Sequence, residues 1–263
     1  MKPDKVKQIL RDTPHMRLPQ AYRITEFIHE NKIRDIIELG FAHGVSTCYM
    51  AAALEGAGGG SILTIDLESA RFLCPNIEQL LAKCGYTGMV DVYYEPTSYT
   101  WRLMKLLEKD MTPRFDLCYV DGAHDWFVDG FAFFLIDRLL RMGGWMIFDD
   151  LDWTFATSPS LRDAEWVKSM PQDERETPQI RRVYELLVRT HPCYSDFRIQ
   201  EGWAYAHKVG DSAKPAGIRQ ETVYITHYEP LTLGNIISRL KRAMISRLKR
   251  PLEILHGKTE YVT

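Results

Sequence analysis

The chain has 263 residues, of which 45% are hydrophobic, and a formal net charge of −2 at pH 7. A chain of this size can bury the core of one α/β domain with additions, and the low net charge predicts no nucleic acid partner for its body. The five cysteines show no CxxC spacing and no disulfide framework, which indicates a reducing compartment. The N-terminus lacks the apolar core of a signal peptide, and no apolar run reaches the ~18 residues that cross a bilayer, so we expect a cytoplasmic protein.

Strands and helices alternate along the first 150 residues. Two amphipathic helices, at 5–12 and 19–31, come first. The predicted strands that follow are 33–39, 61–66, 89–94, 115–121 and 145–150, with a helix after each of the first four. This alternation predicts a parallel sheet with helices on both faces, in which right-handed crossovers bring the carboxyl ends of the strands to one edge. Ligands bind at that edge.

An irregular insert, residues 151–176, follows the fifth strand and carries Trp153. Its position suits a lid over a substrate, and a surface loop with buried tryptophans is the alternative. A helix at 177–190 and two antiparallel strands at 197–200 and 203–209 come next. The predicted organisation is N-terminal helices at 1–32 that cap the substrate site, a main domain at 33–209 and a C-terminal extension at 210–263.

The C-terminal extension contains a predicted basic amphipathic helix at 234–250. Between residues 239 and 250 it has six cationic side chains and no acidic one, so charge is strongly segregated along the chain. Such a helix can lie on an anionic membrane surface, which would give peripheral membrane contact. It can equally dock on the acidic body of the protein or on a second subunit, and we expect a homo-oligomer.

The most informative stretch runs from the first strand into the next helix as Glu38-x-Gly40-x-x-x-Gly44-x-Ser46. Gly40 lets the backbone turn tightly and approach a ligand, and Gly44 keeps the helix close to the sheet. The free N–H groups at the start of that helix, with the hydroxyls of Ser46 and Thr47, suit a carboxylate or a phosphate. Ordinary helix capping is the alternative for the two hydroxyls.

Acidic residues end the predicted strands. Glu38, Asp66, Asp121, Asp149 and Asp150 all lie at carboxyl ends, so the predicted sheet gathers them at one edge. This clustering is the first functional signal in the chain.

These motifs resemble the class I S-adenosylmethionine (SAM) methyltransferases. The glycine turn followed by Asp66 carries that resemblance. The segment Asp121-Gly122-Ala123-His124, with the later Asp149-Asp150, is similar to the metal-dependent small-molecule O-methyltransferases and to cephalosporin hydroxylase-like proteins. The former include catechol, caffeoyl-CoA and macrolide-sugar enzymes. The resemblance covers about residues 20–209 and implies a Rossmann-like α/β fold, with a mostly parallel seven-stranded sheet, helices on both faces and an antiparallel strand near the C-terminal end.

The resemblance implies a SAM site along the glycine turn. Glu38 would receive the methionine ammonium directly or through water, Ser46 would bind the methionine carboxylate, and Asp66 would accept both ribose hydroxyls. An ordinary turn acid is the alternative for Asp66. The other cofactor-binding residues that the resemblance implies are Gly40, Phe41, Gly44, Thr97, Ser98, Asp121 and Gly122, with Thr97 and Ser98 near the adenine.

The same resemblance implies a metal site formed by Asp121, Asp149 and Asp150. Three carboxylates suit a hard divalent ion, Mg²⁺ or Mn²⁺, which lowers the pKa of an acceptor hydroxyl. A site without metal, in which Asp150 only caps its loop, is the alternative. His124 would be the general base and, with Asp121, a catalytic residue. A purely structural histidine is the alternative for His124.

We therefore expect a Mg²⁺-dependent O-methyltransferase that acts on a hydroxyl of a small molecule, such as a sugar, a glycoside or another natural product. The sugar preference rests on His124, which stands where catechol-type enzymes have a lysine. A metal-independent N- or C-methyltransferase, a cephalosporin hydroxylase-like protein and a non-catalytic scaffold are the alternatives with the same fold. An NAD-dependent dehydrogenase is disfavoured, because the turn is Glu-x-Gly-x-x-x-Gly rather than Gly-x-Gly-x-x-Gly.

Overall fold

The computed structural model describes residues 2–11 and 13–211. Within these ranges the strands are β1 (Asp35–Leu39), β2 (Ser61–Leu67), β3 (Val90–Glu95), β4 (Phe115–Val120), β5 (Leu140–Phe148), β6 (Tyr194–Gln200) and β7 (Trp203–Lys208). The α-helices are α1 (Pro3–Leu10), α2 (Leu18–Glu30), α3 (Val45–Gly56), α4 (Ile77–Cys84), α5 (Tyr99–Lys109), α6 (Trp126–Leu139), α7 (Glu165–Lys168), α8 (Gln172–Glu176) and α9 (Gln179–Val183). None of the helices described is long and apolar enough to cross a membrane.

The strands form one sheet in the order β3-β2-β1-β4-β5-β7-β6. The five strands from β3 to β5 are parallel, and β7 pairs antiparallel with both β5 and β6. The chain winds outward from β1 in one direction and from β4 in the other, so the strand order reverses between these two central strands. The predicted seven-stranded Rossmann-like sheet is confirmed, and its switch point lies between β1 and β4.

Two apolar clusters cover the two faces of the sheet. Helices α1 to α4 supply the first cluster, and α5, α6 and α9 supply the second. Residues Val45 to Leu54 of α3 are all buried, and the small side chains of Ala51 to Ala53 let α2 pack closely against this helix. Phe27 of α2 lies 5.4 Å from Trp145 and 5.5 Å from Tyr205, between ring centroids, and so attaches the N-terminal helices to the sheet.

The boundaries of several predicted elements differ from the structure, and β6 begins at Tyr194 rather than at residue 197. The helix predicted at 177–190 is the short α9 followed by a wider π-helical turn at Tyr184–Val188. The fifth strand begins at Leu140 rather than Trp145, because the glycine pair Gly143-Gly144 is accommodated in an irregularity of the β4–β5 register. The basic helix predicted at 234–250 lies outside the described residues.

Two loops at the carboxyl edge are bonded through their backbones to the neighbouring strands. The N–H of Gly40, just after β1, donates to the carbonyl of Ile65 in β2 over 2.9 Å. The N–H of Asp121, just after β4, donates to the carbonyl of Leu39 in β1 over 2.8 Å. Gly40 has a φ of 85°, and a Cβ at this position would collide with the carbonyl oxygen of Asp121 and with the Cα of Gly122. Only glycine permits the loop after β1 to approach the loop after β4 this closely.

Gly40→Ala should therefore lower the free energy of unfolding by more than the strain of a left-handed backbone alone. Gly59 is the matched control, since it has a φ of 103° but no atom lies within 4 Å of the position that a Cβ would take there. We expect Gly59→Ala to lower the free energy of unfolding by about 1–2 kcal/mol, the strain of an L-residue at positive φ. Gly40→Ala should add an overpacking loss of about 1–3 kcal/mol. Urea denaturation measures both, and equal losses would show that the loops can separate freely.

Candidate functional site

A pocket of about 460 Å³ opens at the carboxyl edge of the sheet, above the switch point between β1 and β4. It is framed by the loops after β1, β2, β4 and β5 and by the segment that leads into α2. Its lining consists of His15, Met16, Arg17, Gln20, Gly40, Phe41, Ala42, Ser46, Asp66, Ser69, Ala70, Leu73, Asp121, Gly122, His124, Asp149 and Asp150.

Most residues that the sequence singled out lie in this lining. They are Gly40, Phe41, Ser46, Asp66, Asp121, Gly122, His124, Asp149 and Asp150. Glu38, Gly44, Thr97 and Ser98 lie outside it. Gly44 packs against the side chain of Ile77, and the Ser98 hydroxyl accepts the N–H of Thr100 over 3.1 Å, where it caps α5. The contacts of these four residues with a cofactor stay predictions.

Asp66 organises the glycine turn. Its Oδ2 accepts the backbone N–H groups of Phe41 over 2.8 Å and of Ala42 over 2.7 Å, and its Oδ1 accepts the N–H of Leu67 over 2.6 Å. Ala42 has a φ of 46°, in the left-handed region that residues other than glycine rarely adopt. The carboxylate therefore binds the turn in a conformation that exposes its backbone to the pocket.

Glu38 lies beneath the pocket and is 0% exposed. Its carboxylate accepts three hydroxyl groups, from Ser46 over 2.5 Å, Thr47 over 2.6 Å and Thr64 over 2.7 Å. These bonds join β1, β2 and the first turn of α3. Burial raises the pKa of Glu38 to about 7, although the three hydroxyl donors oppose the shift. Glu38 is an anchor beneath the site, and the Ser46 hydroxyl predicted for a methionine carboxylate is bonded to it.

Asp121, His124 and Asp150 bring their side chains together at the end of the pocket formed by the loops after β4 and β5. His124 Nε2 lies 3.9 Å from Asp121 Oδ1 and 3.8 Å from Asp150 Oδ2. One donor atom from each residue lies within 4.8 Å of the other two, a spacing that can hold a metal ion. His124 and Asp150 have φ angles of 57° and 52°. Left-handed residues of this kind cluster at functional sites.

Asp149 lies beside the Asp121–His124–Asp150 cluster, and its role as a metal ligand stays a prediction. It is 7% exposed, its Oδ2 accepts the hydroxyl of Tyr119, and its Oδ1 accepts the N–H of Asp150 over 2.7 Å. It lies in the pocket lining but outside the three-residue cluster, in which His124 takes the third place. The predicted set of Asp121, Asp149 and Asp150 therefore differs from the set of donors that converge.

The acids of this site share a high affinity for protons. Burial raises the pKa of Asp121 well above its usual range, and the charges of Asp149 and Asp150 raise it further. Burial also raises the pKa values of Asp149 and Asp150. For His124, burial lowers the pKa to about 4, so its imidazole is neutral at pH 7. A bound cation would relieve the repulsion among these carboxylates.

Residues 37–151 match a family model described as a methyltransferase domain. This segment holds the glycine turn, Asp66 and all three members of the Asp121–His124–Asp150 cluster. A comparison with curated protein sequences found no match.

Solved structures with the same fold include three that share little sequence with this chain. The O-methyltransferase TomG from Streptomyces achromogenes, involved in tomaymycin synthesis and determined in complex with SAM, is 20% identical, with a TM-score of 0.56 over 79% of this chain and 89% of that one. An O-methyltransferase from Bacillus cereus in complex with S-adenosylhomocysteine (SAH) is 20% identical, with a TM-score of 0.56 over 79% and 92%. The SAH-bound methyltransferase PaMTH1 from Podospora anserina is 16% identical, with a TM-score of 0.53 over 78% and 86%. The class I methyltransferase fold predicted from the sequence is confirmed.

Two parts of the pocket were not identified residue by residue from the sequence. The segment before α2 contributes His15, Met16, Arg17 and Gln20, and the 3₁₀ turn Glu68–Phe72 with its next residue contributes Ser69, Ala70 and Leu73. The first segment carries no motif, and its place over the pocket follows from the packing of α2 on the sheet. The second part could have been found from the sequence, because it directly follows the strand that carries Asp66 at its carboxyl end and therefore faces the same edge of the sheet.

The insert after β5 reaches the pocket through an aromatic chain. The ring of Trp153 lies 4.8 Å from that of His124, Phe155 lies 4.9 Å from Trp153, and Trp166 lies 5.4 Å from Phe155, measured between ring centroids. The insert thus packs directly on one member of the cluster. Its role as a lid stays a prediction.

The buried carboxylate of Glu38 should make stability depend on pH. Its pKa is higher in the folded protein than in the unfolded chain, so its contribution is complete below about pH 4.5 and is lost as the pH rises through about 7. Between pH 5 and pH 8, the stability of Glu38→Gln relative to wild type should rise by roughly 3 kcal/mol. Denaturant titrations at several pH values measure this difference. The exposed Glu30→Gln is the control, and parallel profiles for Glu38→Gln and wild type would contradict the expectation.

Proposed function

We propose that the protein is a SAM-dependent O-methyltransferase that acts on a hydroxyl group of a small molecule with the help of a divalent metal ion. The observation that carries this proposal is a single pocket in which the glycine turn and Asp66 face the Asp121–His124–Asp150 cluster. A methyl donor and a metal-held acceptor need this proximity, because methyl transfer depends mainly on the alignment of the reacting groups.

SAM fits the half of the pocket formed by the glycine turn. The structures of TomG and of the Bacillus cereus enzyme contain SAM and SAH, respectively, on the same fold. Here Gly40, Phe41 and Ala42 of the glycine turn line the pocket. Asp66 ends β2, where an acid accepts ribose hydroxyls in nucleotide-binding folds. In this role Asp66 would hold the ribose while it keeps the turn in place.

A divalent ion fits the other half. The cluster offers two carboxylates and one neutral imidazole from the side chains of Asp121, Asp150 and His124. Burial raises the pKa of both carboxyl groups, and the charges of Asp149 and Asp150 raise that of Asp121 further, so a cation bound among them would be favoured. Carboxylates suit Mg²⁺ and Mn²⁺, and an imidazole nitrogen favours the transition metal of the two. We therefore propose Mn²⁺ or Mg²⁺, with Mn²⁺ the better match to this donor set.

The proposed reaction gives each group a distinct task. SAM would supply the methyl group and leave as SAH, and the ion would lower the pKa of the acceptor hydroxyl so that its proton passes to solvent. Asp121, His124 and Asp150 would hold the ion, and Asp149 lies beside them with its oxygens bonded to Tyr119 and to the N–H of Asp150. A pKa of about 4 makes His124 a weak proton acceptor, which favours its role as a ligand over the predicted general base.

A small hydroxylated acceptor, such as a sugar or a glycoside, suits the volume and the walls of this pocket. Arg17 lies in the pocket lining, and its charge lowers the pKa of Asp150 of the cluster. We therefore assign Arg17 and its neighbours to the wall on the acceptor side. The ring of Trp153 covers His124 from the insert. Together these groups offer an apolar face and a cation around the position where an acceptor hydroxyl would meet the ion.

Isothermal calorimetry with SAM tests the first part of the proposal. We expect micromolar binding of SAM and no binding of NAD, because Asp66 and the glycine turn provide one nucleoside site without a dinucleotide fingerprint. Incubation with SAM and a panel of sugars, phenols and glycosides should yield a product heavier by one methyl group. Chelator should abolish this product, and Mn²⁺ or Mg²⁺ should restore it. Absence of SAM binding would refute the proposed function.

Titration of Mn²⁺, followed by electron paramagnetic resonance, tests the metal site directly. His124→Ala and Asp150→Asn should each weaken Mn²⁺ binding about tenfold or more, since each removes one of three donors. Asp163→Asn changes an exposed aspartate elsewhere in the insert and should leave the affinity unchanged. If His124→Ala binds Mn²⁺ like wild type but loses methyl transfer, His124 is a base and not a ligand.

A further inference from the structure

The loop that carries two of the cluster residues rests on a buried tyrosine and a buried aspartate. Tyr99, the first residue of α5, is 5% exposed, and Asp129, in the first turn of α6, is 0% exposed. The hydroxyl of Tyr99 donates to Asp129 Oδ1. Neither residue lines the pocket, so neither would touch a cofactor or an acceptor that binds there.

Tyr99 contacts the middle of this loop in two ways. Its hydroxyl oxygen accepts the N–H of Ala123 over 3.3 Å. Its ring lies directly under Gly122, where an added Cβ would come within 2.5 Å of Tyr99 Cε1. Ala123 separates Gly122 from His124, so the tyrosine holds the backbone immediately before the histidine.

Asp129 holds the far end of the same loop. Its Oδ2 accepts the N–H of Asp125 over 3.1 Å, and Asp125 Oδ1 in turn accepts the N–H of Val128 over 2.6 Å, where it caps α6. The near end is held from the opposite side, by the bond from the Asp121 N–H to Leu39 and by the contact with Gly40. The backbone around His124 is thereby fixed before and after the residue whose φ is 57°.

We propose that Tyr99 and Asp129 are positioning residues, which hold the Asp121–Asp125 loop so that His124 and Asp121 point at a common metal ion. This inference rests on the metal-dependent reaction proposed above. The left-handed conformation of His124 is unfavourable on its own and persists only where its surroundings impose it. Without the Tyr99–Asp129 support, the loop can relax to an ordinary conformation, which would turn the imidazole away from the carboxylates. A misplacement of about 1 Å in such a group can slow catalysis about a hundredfold.

The protein contains a matched control for the loss of a buried tyrosine–aspartate bond. The hydroxyl of Tyr194 donates to Asp137 Oδ1 over 2.9 Å, and both residues are buried, Tyr194 in the same apolar cluster that contains Tyr99. Tyr194 lies at the start of β6 and has no contact with the Asp121–Asp125 loop among those described for it. Tyr99→Phe and Tyr194→Phe therefore remove the same chemical group, but only the first removes support from the loop.

The experiment compares Mn²⁺ and SAM binding by wild type, Tyr99→Phe and Tyr194→Phe, with thermal unfolding as the measure of stability. We expect Tyr99→Phe to weaken Mn²⁺ binding about tenfold or more, to change SAM affinity less than threefold, and to speed amide hydrogen exchange across residues 121–125. Tyr194→Phe should lower the unfolding temperature without changing the affinity for Mn²⁺ or the exchange of this loop. Asp129→Asn, which places an amide where the Asp125 N–H needs an acceptor, is the second variant and should also weaken Mn²⁺ binding.

The outcomes separate the two proposals. If wild type binds Mn²⁺ and Tyr99→Phe binds it equally well, the positioning role is refuted and the proposed function stands. An equal loss of Mn²⁺ affinity in Tyr194→Phe also refutes it, because the effect would then reflect general destabilisation. If wild type binds SAM but no Mn²⁺, both the metal-dependent reaction and the positioning role fail.

Discussion

The site depends on the close contact between the turn after β1 and the loop after β4, which only a residue without a side chain permits. Gly40 lies against the backbone of Asp121 and Gly122, and the Asp121 N–H bonds to Leu39 in the same region. This contact places the proposed cofactor wall beside the proposed metal ligands. The sheet topology brings the two loops to the same edge, and Gly40 allows them to come into direct contact.

Buried carboxylates stabilise this arrangement from below. Glu38 joins β1, β2 and α3 through three hydroxyl groups, and Asp129 joins the loop after β4 to α5 and α6 through Tyr99. Burial raises the pKa of both acids to about 7. An unpaired buried acid would be costly, but each of these accepts several hydrogen bonds, so the pair connects the strands and helices that carry the pocket.

The sequence predicted the sheet and the edge at which its acids meet, because strand ends and crossover handedness follow from local patterns. It did not predict which atoms converge there. The burial of Glu38 depends on Thr64 from the next strand, and the direction of the His124 ring depends on a left-handed backbone that residue spacing does not encode. Arg17 lines the pocket because α2 packs on the sheet through Phe27, and no sequence motif near Arg17 predicts this position.

The raised pKa values around Asp121 have a consequence for how the site is filled. The proposed ion would displace protons from these carboxylates as it binds, because a carboxylate must be deprotonated to hold a metal. Acidification would then compete with the ion, which would couple its binding to the proton concentration around the protein.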